Sequence, residues 1–569
     1  MMIEMNGTSA SPGIAIGEVL ILANESYEIP QYESNFELEK SRIETAINFV
    51  KLELEDLKIK ALTNMGKEKA QIFESHLLIL EDPELLKQSL NKIKKENINA
   101  EFALSFVSKK FIAMFENMED EYLKERASDI KDVTSRLISK LLNKTKISLD
   151  SLSSPCILVA HDLTPSQTAS MDRKNVLGFL TDIGGKTSHT AIMARTLEIP
   201  AIVGIGNIST TVKSGDVIAF DGLTGKIKIN PTEVECDNFK KSKEKFLQEK
   251  KLDEELIGLE TITLDGHAIE LAGNIGTPND LEALWRNDAE AVGLYRTEFL
   301  FMDRNSMPSE EEQFIAYKSV IEGLKGKNCI IRTLDIGGDK KLDYLNIGKE
   351  ENPFLGYRAI RICLKEKKLF SVQLRALLRA SYYGPLSIMF PMISSMEELI
   401  EVKNFLNQQK EDLKNEGINF SSNIKIGIMI EIPSAAILSD LFIDHVDFFS
   451  IGTNDLTQYT CAVDRMNEKI EHLYDPFNPG LLRLIHMTIK NARAKNKMVG
   501  ICGSMAHQTE LVPLLVGMGV SELSMSAIHI LKTRKLIRSL KFSECEKLVE
   551  KFLKLGSATE VKMLLSNNI

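Results

Sequence analysis

No run of 18 apolar residues occurs in this chain, so no transmembrane helix is expected. No Cys-x-x-Cys occurs either. The seven cysteines, Cys156, Cys236, Cys329, Cys363, Cys461, Cys502 and Cys545, are odd in number and widely spaced. They argue against a disulfide framework or a structural zinc and fit a reducing cytosol. The opening Met1-Met2-Ile3-Glu4-Met5-Asn6 has no basic stretch and no apolar core, so no secretory signal is expected and a cytoplasmic location is. Positive charge is in deficit, with a net charge of −10, which argues against a general nucleic-acid binder. Glycine is missing from a long stretch: Gly66 is the only one between Gly17 and Gly178.

That stretch is where helices are expected. From about Asn35 to Asn143 apolar residues recur three and four positions apart, as in Phe36–Leu62 and Ala103–Leu142, with few turn signals between. The pattern predicts a helical bundle of two antiparallel hairpins. Its flanks read as strands: Ser9–Leu22 before it, then Cys156–Ala160, Val176–Leu180, Ala201–Val203 and Val217–Phe220 after it. These should form one α/β domain interrupted by the helical insertion. A charged stretch, Glu233–Glu260, reads as a connecting helix with a hinge at either end. From about Thr261, strands starting near Ile269, Ala291, Cys329, Leu386, Lys425, Val446, Met498 and Glu522 alternate with helical segments such as Glu310–Ile321, Leu369–Ala380 and Leu481–Ala494. Eight such units predict a (β/α)8 barrel, whose function lies at the carboxyl ends of its strands. A chain of 569 residues accommodates this multidomain α/β organisation. The expected domains are 1–30 with 145–232, the helical 31–144, the linker 233–260 and the barrel 261–569.

The most informative run is Gly184-Gly185-Lys186-Thr187-Ser188-His189-Thr190-Ala191-Ile192-Met193-Ala194-Arg195. A strand precedes it and a helix follows, so two glycines turn the backbone and a histidine opens a helix. The first amides of a helix are unpaired and, with the macrodipole behind them, favour an anion. A largely neutral imidazole there can act as a nucleophile and carry a phosphoryl group, steadied by the hydroxyls of Thr187, Ser188 and Thr190.

The barrel strand ends carry a second polar set: Asn274, Arg296, Arg332, Glu431, Asn454, Asp455, Arg465 and Cys502. Arginines at one mouth can grip a phosphate bidentately. Two carboxylates plus phosphate oxygens suit Mg²⁺.

The loop around His189, continuing through Leu197-Glu198-Ile199-Pro200-Ala201-Ile202-Val203-Gly204, resembles the phosphohistidine loop of the phosphoenolpyruvate-utilising enzymes. Gly293–Met302, Asp335–Lys340, Asn352–Ala359, Met389–Ile393 and Phe448–Tyr459 resemble the barrel of one branch, enzyme I of the bacterial sugar phosphotransferase system. Ile72–His76 and Asp120–Asp129 look like the insertion with which enzyme I docks its carrier HPr.

The resemblance implies a swivelling domain in which His189 is the phosphohistidine intermediate. Arg296, Arg332, Asn454, Asp455 and Arg465 would bind phosphoenolpyruvate. Glu431 and Asp455 would hold Mg²⁺, with Mn²⁺ able to substitute, and Cys502 would donate the proton that yields pyruvate. The partners would be HPr and a second copy of the chain, joined through the barrel, with no nucleic acid and no membrane insertion. An ATP-linked dikinase or phosphoenolpyruvate synthase is disfavoured, because the sequence shows no Gly-rich nucleotide loop. The chain opens directly on its Ser-Pro-Gly-Ile-Ala segment, which favours the sugar branch over a nitrogen-regulatory one. Five residues depart from expectation: Ser504, Lys67 and Gln167 stand where glutamate is expected, and His507-Gln508 where Gly-Asp is.

Overall fold

The computed structural model describes residues 3–22, 29–65, 67–116, 121–144, 149, 152, 154–164, 167, 171, 174–185, 189–197, 199–302, 304, 306–338, 342, 344–345, 348, 350–465, 467 and 469–567. The side chains of 60–65, 67–72, 116, 121–126, 128, 189, 192, 196 and 471 are outside that description. Two compact units divide at Lys250 and Lys251.

The first unit is built on an eight-stranded sheet. Its strands are β1 (Ile3–Asn6), β2 (Thr8–Ser11), β3 (Ile14–Leu22), β4 (Cys156–Ala160), β5 (Val176–Thr181), β6 (Ala201–Val203), β7 (Val217–Asp221) and β8 (Lys226–Ile229). They run in the order β1-β8-β7-β3-β4-β5-β6-β2. The centre, β3-β4-β5-β6, is parallel. Accordingly β4, Cys-Ile-Leu-Val-Ala, is apolar throughout and buried at every residue, as a strand covered on both faces must be. The sequence left β1 and β8 unread, because Ile3-Glu-Met-Asn and Lys226-Ile-Lys-Ile alternate and pair at an edge.

Between β3 and β4 the chain inserts a bundle of α1 (Phe36–Met65), α2 (Lys67–Leu80), α3 (Pro83–Glu96), α4 (Ala100–Glu116) and α5 (Glu121–Leu141). The pairs α1/α2 and α4/α5 pack together as expected, but α3 is an additional helix, and Ala103–Leu142 is two helices rather than one. Local chemistry explains α3. Asp82 accepts from the Glu84 and Leu85 amides, Pro83 occupies the first turn, and Asn97 ends the helix at φ 52°. Leu54, Phe73, Leu80, Ile93, Leu104 and Val133 centre the bundle core, which Met193 of a later helix joins.

The second unit closes into a barrel of parallel strands. These are β9 (Glu270–Ile275), β10 (Ala291–Arg296), β11 (Cys329–Arg332), β12 (Leu386–Phe390), β13 (Lys425–Ile430), β14 (Phe448–Ile451), β15 (Met498–Ile501) and β16 (Glu522–Met525), with β16 pairing back to β9. The strands start within two residues of the positions read from the sequence. Capping boxes at Ser309/Glu312 and Ser395/Glu398 begin two of the outer helices.

The Glu233–Glu254 helix leads into this unit, and the segment after it is fastened to the barrel. Arg534, fully buried, donates to the Leu256 carbonyl at 3.1 Å, to Thr261 Oγ1 at 3.0 Å and to the Asp288 carbonyl at 2.8 Å, and it also pairs with the Asp288 and Glu290 carboxylates. The Gly258 amide donates to Asp288 Oδ2 at 2.7 Å, and Arg538 Nη1 to the Glu260 carbonyl.

Candidate active site at the barrel mouth

The strand ends bring most of the anticipated residues to one place. Arg296 ends β10 and Arg332 ends β11. Glu431 follows β13, Asn454 and Asp455 lie in the first turn of the Thr453–Cys461 helix after β14, and Cys502 follows β15. Beneath them Leu294, Ile330, Met389, Met429 and Phe448 pack with Cys502 inside the barrel, one residue from each of successive strands, and make a dry floor for the site.

Charge at the mouth is only partly balanced. Arg332 Nη2 donates to Glu298 Oε1 at 3.1 Å, and its Nη1 lies 3.0 Å from Asp335 Oδ2. Burial pulls the Arg332 pKa down, but Glu298 and Asp335 outweigh it and leave it raised. Arg358 forks onto Asp335 at 2.9 and 3.1 Å, donates to Tyr459 Oη at 3.2 Å and lies 3.6 Å from Asp455 Oδ1. Arg296 differs. Burial, then the charge of Arg332, pushes its pKa down, and among the described residues no carboxylate is at ion-pair distance from it. Arg465 likewise forms no ion pair among them; its amide donates to Gln458 Oε1 at 3.2 Å. Two cationic heads are therefore left over for an anion.

The carboxylates are poised the other way. Met392, in the left-handed region at φ 57°, aims its amide at Glu431 Oε1 at 2.6 Å, while Glu431 Oε2 is buried without a partner. Burial, then the neighbouring charges of Asp455 and Asp335, raises the Glu431 pKa to about 8. A buried oxygen with no partner beside a second carboxylate fits a hard divalent cation. Among the described residues no three His, Cys, Asp or Glu side chains gather as a complete metal site, so such a cation would complete its shell with substrate oxygens and water.

Cys502 is 2% exposed, and its Sγ lies 3.7 Å from the Ile451 carbonyl. Burial raises the thiol to about 11, against the pull of Ser450, Arg332 and Arg296, so it carries its proton at neutral pH. Asn274 Nδ2 donates to the Cys502 carbonyl at 3.0 Å.

In the first unit His189 opens the helix α6 (His189–Leu197), beyond the carboxyl end of parallel strand β5. Gly184, at φ 116°, supplies the turn. Thr190 Oγ1 donates to the Leu163 carbonyl at 3.2 Å, which ties the first turn of the helix to the segment after β4. Lys186, Thr187, Ser188 and the His189 side chain lie outside the described residues, as do the Lys67 side chain and Asp339-Lys340.

Three family models cover the chain in sequence: the N-terminal domain of PEP-utilising enzymes over 6–126, their mobile domain over 152–225 and their PEP-binding domain over 250–542. Curated relatives named phosphoenolpyruvate-protein phosphotransferase match almost end to end. Those from Staphylococcus carnosus and Priestia megaterium are 47% and 48% identical over 98% of both chains; that from Listeria innocua is 50% identical over 99% of this chain and 98% of its own. The chain belongs to the phosphoenolpyruvate-protein phosphotransferases. This membership excludes the ATP-linked alternative.

Within this phosphotransferase fold the structure adds residues that the strand-end reading passed over. Glu298, Asp335, Arg358 and Tyr459 build the ionic frame that positions Arg332 and Asp455. Their signal lay in the runs Gly293–Met302, Asp335–Lys340, Asn352–Ala359 and Phe448–Tyr459, which carried the resemblance without a role being read for these four. The departures also find places. Ser504 donates from its amide and hydroxyl to Asn454 Oδ1 at 3.0 and 2.8 Å, which leaves the Asn454 NH₂ as the end offered to a ligand. Gln167 Oε1 accepts from the Thr164 backbone amide at 2.9 Å, while the Gln167 backbone amide donates to Thr164 Oγ1. His507 stacks on His529 with centroids 4.0 Å apart.

Proposed function

We propose that the phosphoryl group of phosphoenolpyruvate passes first to His189 and then to a histidine of HPr, with release of pyruvate. In this reading Arg296, Arg332, Arg465, Asn454 and Asp455 hold the substrate's phosphate and carboxylate, while Arg358 and Asp335 keep that frame fixed. Glu431 and Asp455 hold Mg²⁺, or Mn²⁺ in its place, which when bound supplies charge neutralisation for phosphate oxygens. The neutral His189 ring nitrogen attacks phosphorus as the bond to the enol oxygen breaks. Cys502 then gives its proton to the methylene carbon of the enolate, completing pyruvate. The domain bearing His189 swings between the barrel mouth and the helical bundle, because one short side chain cannot serve both. A homodimer through the barrel is supported by the exposed apolar patch Ile437, Leu438 and Leu441. A cytoplasmic setting is supported by seven free cysteines.

The observation that carries the reading is the imbalance at the mouth: two arginines without carboxylates, a buried Glu431 oxygen without a partner beside Asp455, and a protonated thiol nearby. The test is to incubate the protein with radiolabelled phosphoenolpyruvate, Mg²⁺ and HPr and to locate the label. Acid-labile label on His189 that moves to HPr is expected. Label on another residue, or none, overturns the reading. Size measurement in solution checks the dimer.

A further inference from the structure

Below the mouth, the barrel interior holds an acid for which the reaction so far has no use. Glu522 opens β16, is 1% exposed, and neither of its carboxyl oxygens has a hydrogen-bond partner. An unpartnered ionised carboxylate in such a place is strongly disfavoured. Burial first, and then the adjacent Glu270, hold its pKa far above the ordinary carboxylate range, so it keeps a proton.

Strand register gives this acid an address. Met429, Ser450, Gly500, Glu522 and Glu270 stand side by side on β13, β14, β15, β16 and β9. Neighbouring strands are about 4.8 Å apart, so Ser450 and Glu522 are about 10 Å apart at the backbone. The residue between them is a glycine. A methyl group on Gly500 would sit 2.8 Å from Glu522 Oε1, so the missing side chain leaves open the space beside the carboxyl group. Gly293 does the same on the other side, where a methyl would lie 2.5 Å from both Glu522 Oε1 and Ser524 Oγ. Ser524 Oγ donates to Asn274 Oδ1 at 2.6 Å, and Asn274 holds the Cys502 backbone. The Ser450 hydroxyl, two strands from Glu522 in this row, is likewise buried without a hydrogen-bond partner, and it pulls the Cys502 thiol pKa down against burial. Glu270, at the start of β9, is only partly buried, and Glu290, Lys425 and Lys327 act on it. Glu522 is faced by no charge other than Glu270; Arg332, Arg296 and Glu431 act on Cys502.

We propose that Glu522 is the proton reservoir that restores the Cys502 thiol after each turnover, through the Ser450 hydroxyl and a water beside Gly500, and that solvent refills it at the barrel floor by way of Glu270. The proposal rests on the reading of Cys502 as proton donor. The thiolate left by enolate protonation takes the Ser450 hydroxyl proton. That oxygen takes one from the bridging water, and the water takes the Glu522 proton. The Glu522 carboxylate then recovers a proton from solvent. One solvent proton is consumed for each pyruvate formed, which matches the proton delivered to carbon. The arrangement lets the thiol be reset from below while substrate groups occupy the mouth. Glu522 acts through Cys502 and touches no substrate atom.

The test is rapid-quench pyruvate formation by full-length Glu522→Gln with phosphoenolpyruvate, Mg²⁺ and HPr. The first equivalent of pyruvate should form at the wild-type rate, because the thiol starts protonated. Later turnovers should then slow about 10²-fold, the scale of a lost acid. A wild-type steady state overturns the proposal. So does equal slowing of first and later turnovers, which a merely structural role would produce. Ser450→Ala should show the same burst, and it decides the matter if circular dichroism finds Glu522→Gln unfolded. Cys502→Ala is measured in parallel. A wild-type first turnover there removes the Cys502 reading and the reservoir with it. A slow one, beside a Glu522→Gln protein without a burst, removes the reservoir alone.

Discussion

At the barrel mouth, charge is dense and fixed: Glu298, Arg332, Asp335 and Arg358 are buried or nearly so and lock one another at about 3 Å. At the proposed phosphoryl carrier in the first unit, the framework is different in kind. There a nine-residue helix begins at His189, and the unpaired first amides and macrodipole of such a helix start favour an anion. The contrast is informative about what each place has to do. A site that breaks a phosphate ester gains from charges that cannot relax away from the reacting group. A carrier that must surrender its phosphoryl group to a protein gains from holding it weakly. On the proposed reading the barrel serves stabilisation and the helix start serves exchange.

The strongest way to break this comparison is to remove the carrier. His189→Ala should abolish labelling by radiolabelled phosphoenolpyruvate while circular dichroism stays unchanged; a label at normal level would refute its role. Stripping divalent metal should likewise reduce turnover to background, because the substrate phosphate then loses the charge neutralisation that a cation on Glu431 and Asp455 would supply. Full activity after verified metal removal counts against that assignment. Next comes Cys502→Ala, expected to slow pyruvate formation by about 10² to 10⁴ with phosphoenolpyruvate affinity by calorimetry little changed. An unaltered pyruvate rate would make Cys502 a packing residue.

Two further measurements sharpen the contrast. Residues 1–250 made alone should fold and exchange phosphoryl groups with phospho-HPr, yet take none from phosphoenolpyruvate, since that unit has its own sheet and cores. Labelling of the fragment by phosphoenolpyruvate contradicts the division of labour. The smallest effect is on stability. The folded-state pKa of Glu431 is raised, so the metal-free protein binds the extra proton when folded. The stability this proton confers is full below the ordinary carboxylate range and is lost as pH rises from there through about 8. Melting curves of wild type against Glu431→Gln across that range should diverge in this sense, and added Mg²⁺ should reduce the divergence. Parallel curves would mean that Glu431 is not held protonated.

The elements that could be read from sequence were those whose signal is local. Barrel strands are apolar runs bounded by turn residues, and the strand-end residues Arg296, Arg332 and Cys502 followed from counting along them. Helix α3 was missed although Asp82-Pro83 marks its start, because the surrounding 3.6-residue period masks a restart. Arg358 was missed for another reason: it stands after the Pro353–Leu355 turn rather than at a strand end, and reaches Asp335 only through the fold. Glu522 could not be distinguished from any acid opening a strand until its two neighbouring strands proved to carry Gly500 and Glu270 in the same row.

Arg534 has a consequence for leverage. By gripping the Leu256 carbonyl, Thr261, Asp288 and Glu290, it makes the barrel end of the connector a fixed footing. The Glu233–Glu254 helix that runs into this footing has 22 residues, about 33 Å at 1.5 Å per residue. A swing of the kind proposed therefore has no pivot to use between Leu256 and Thr261.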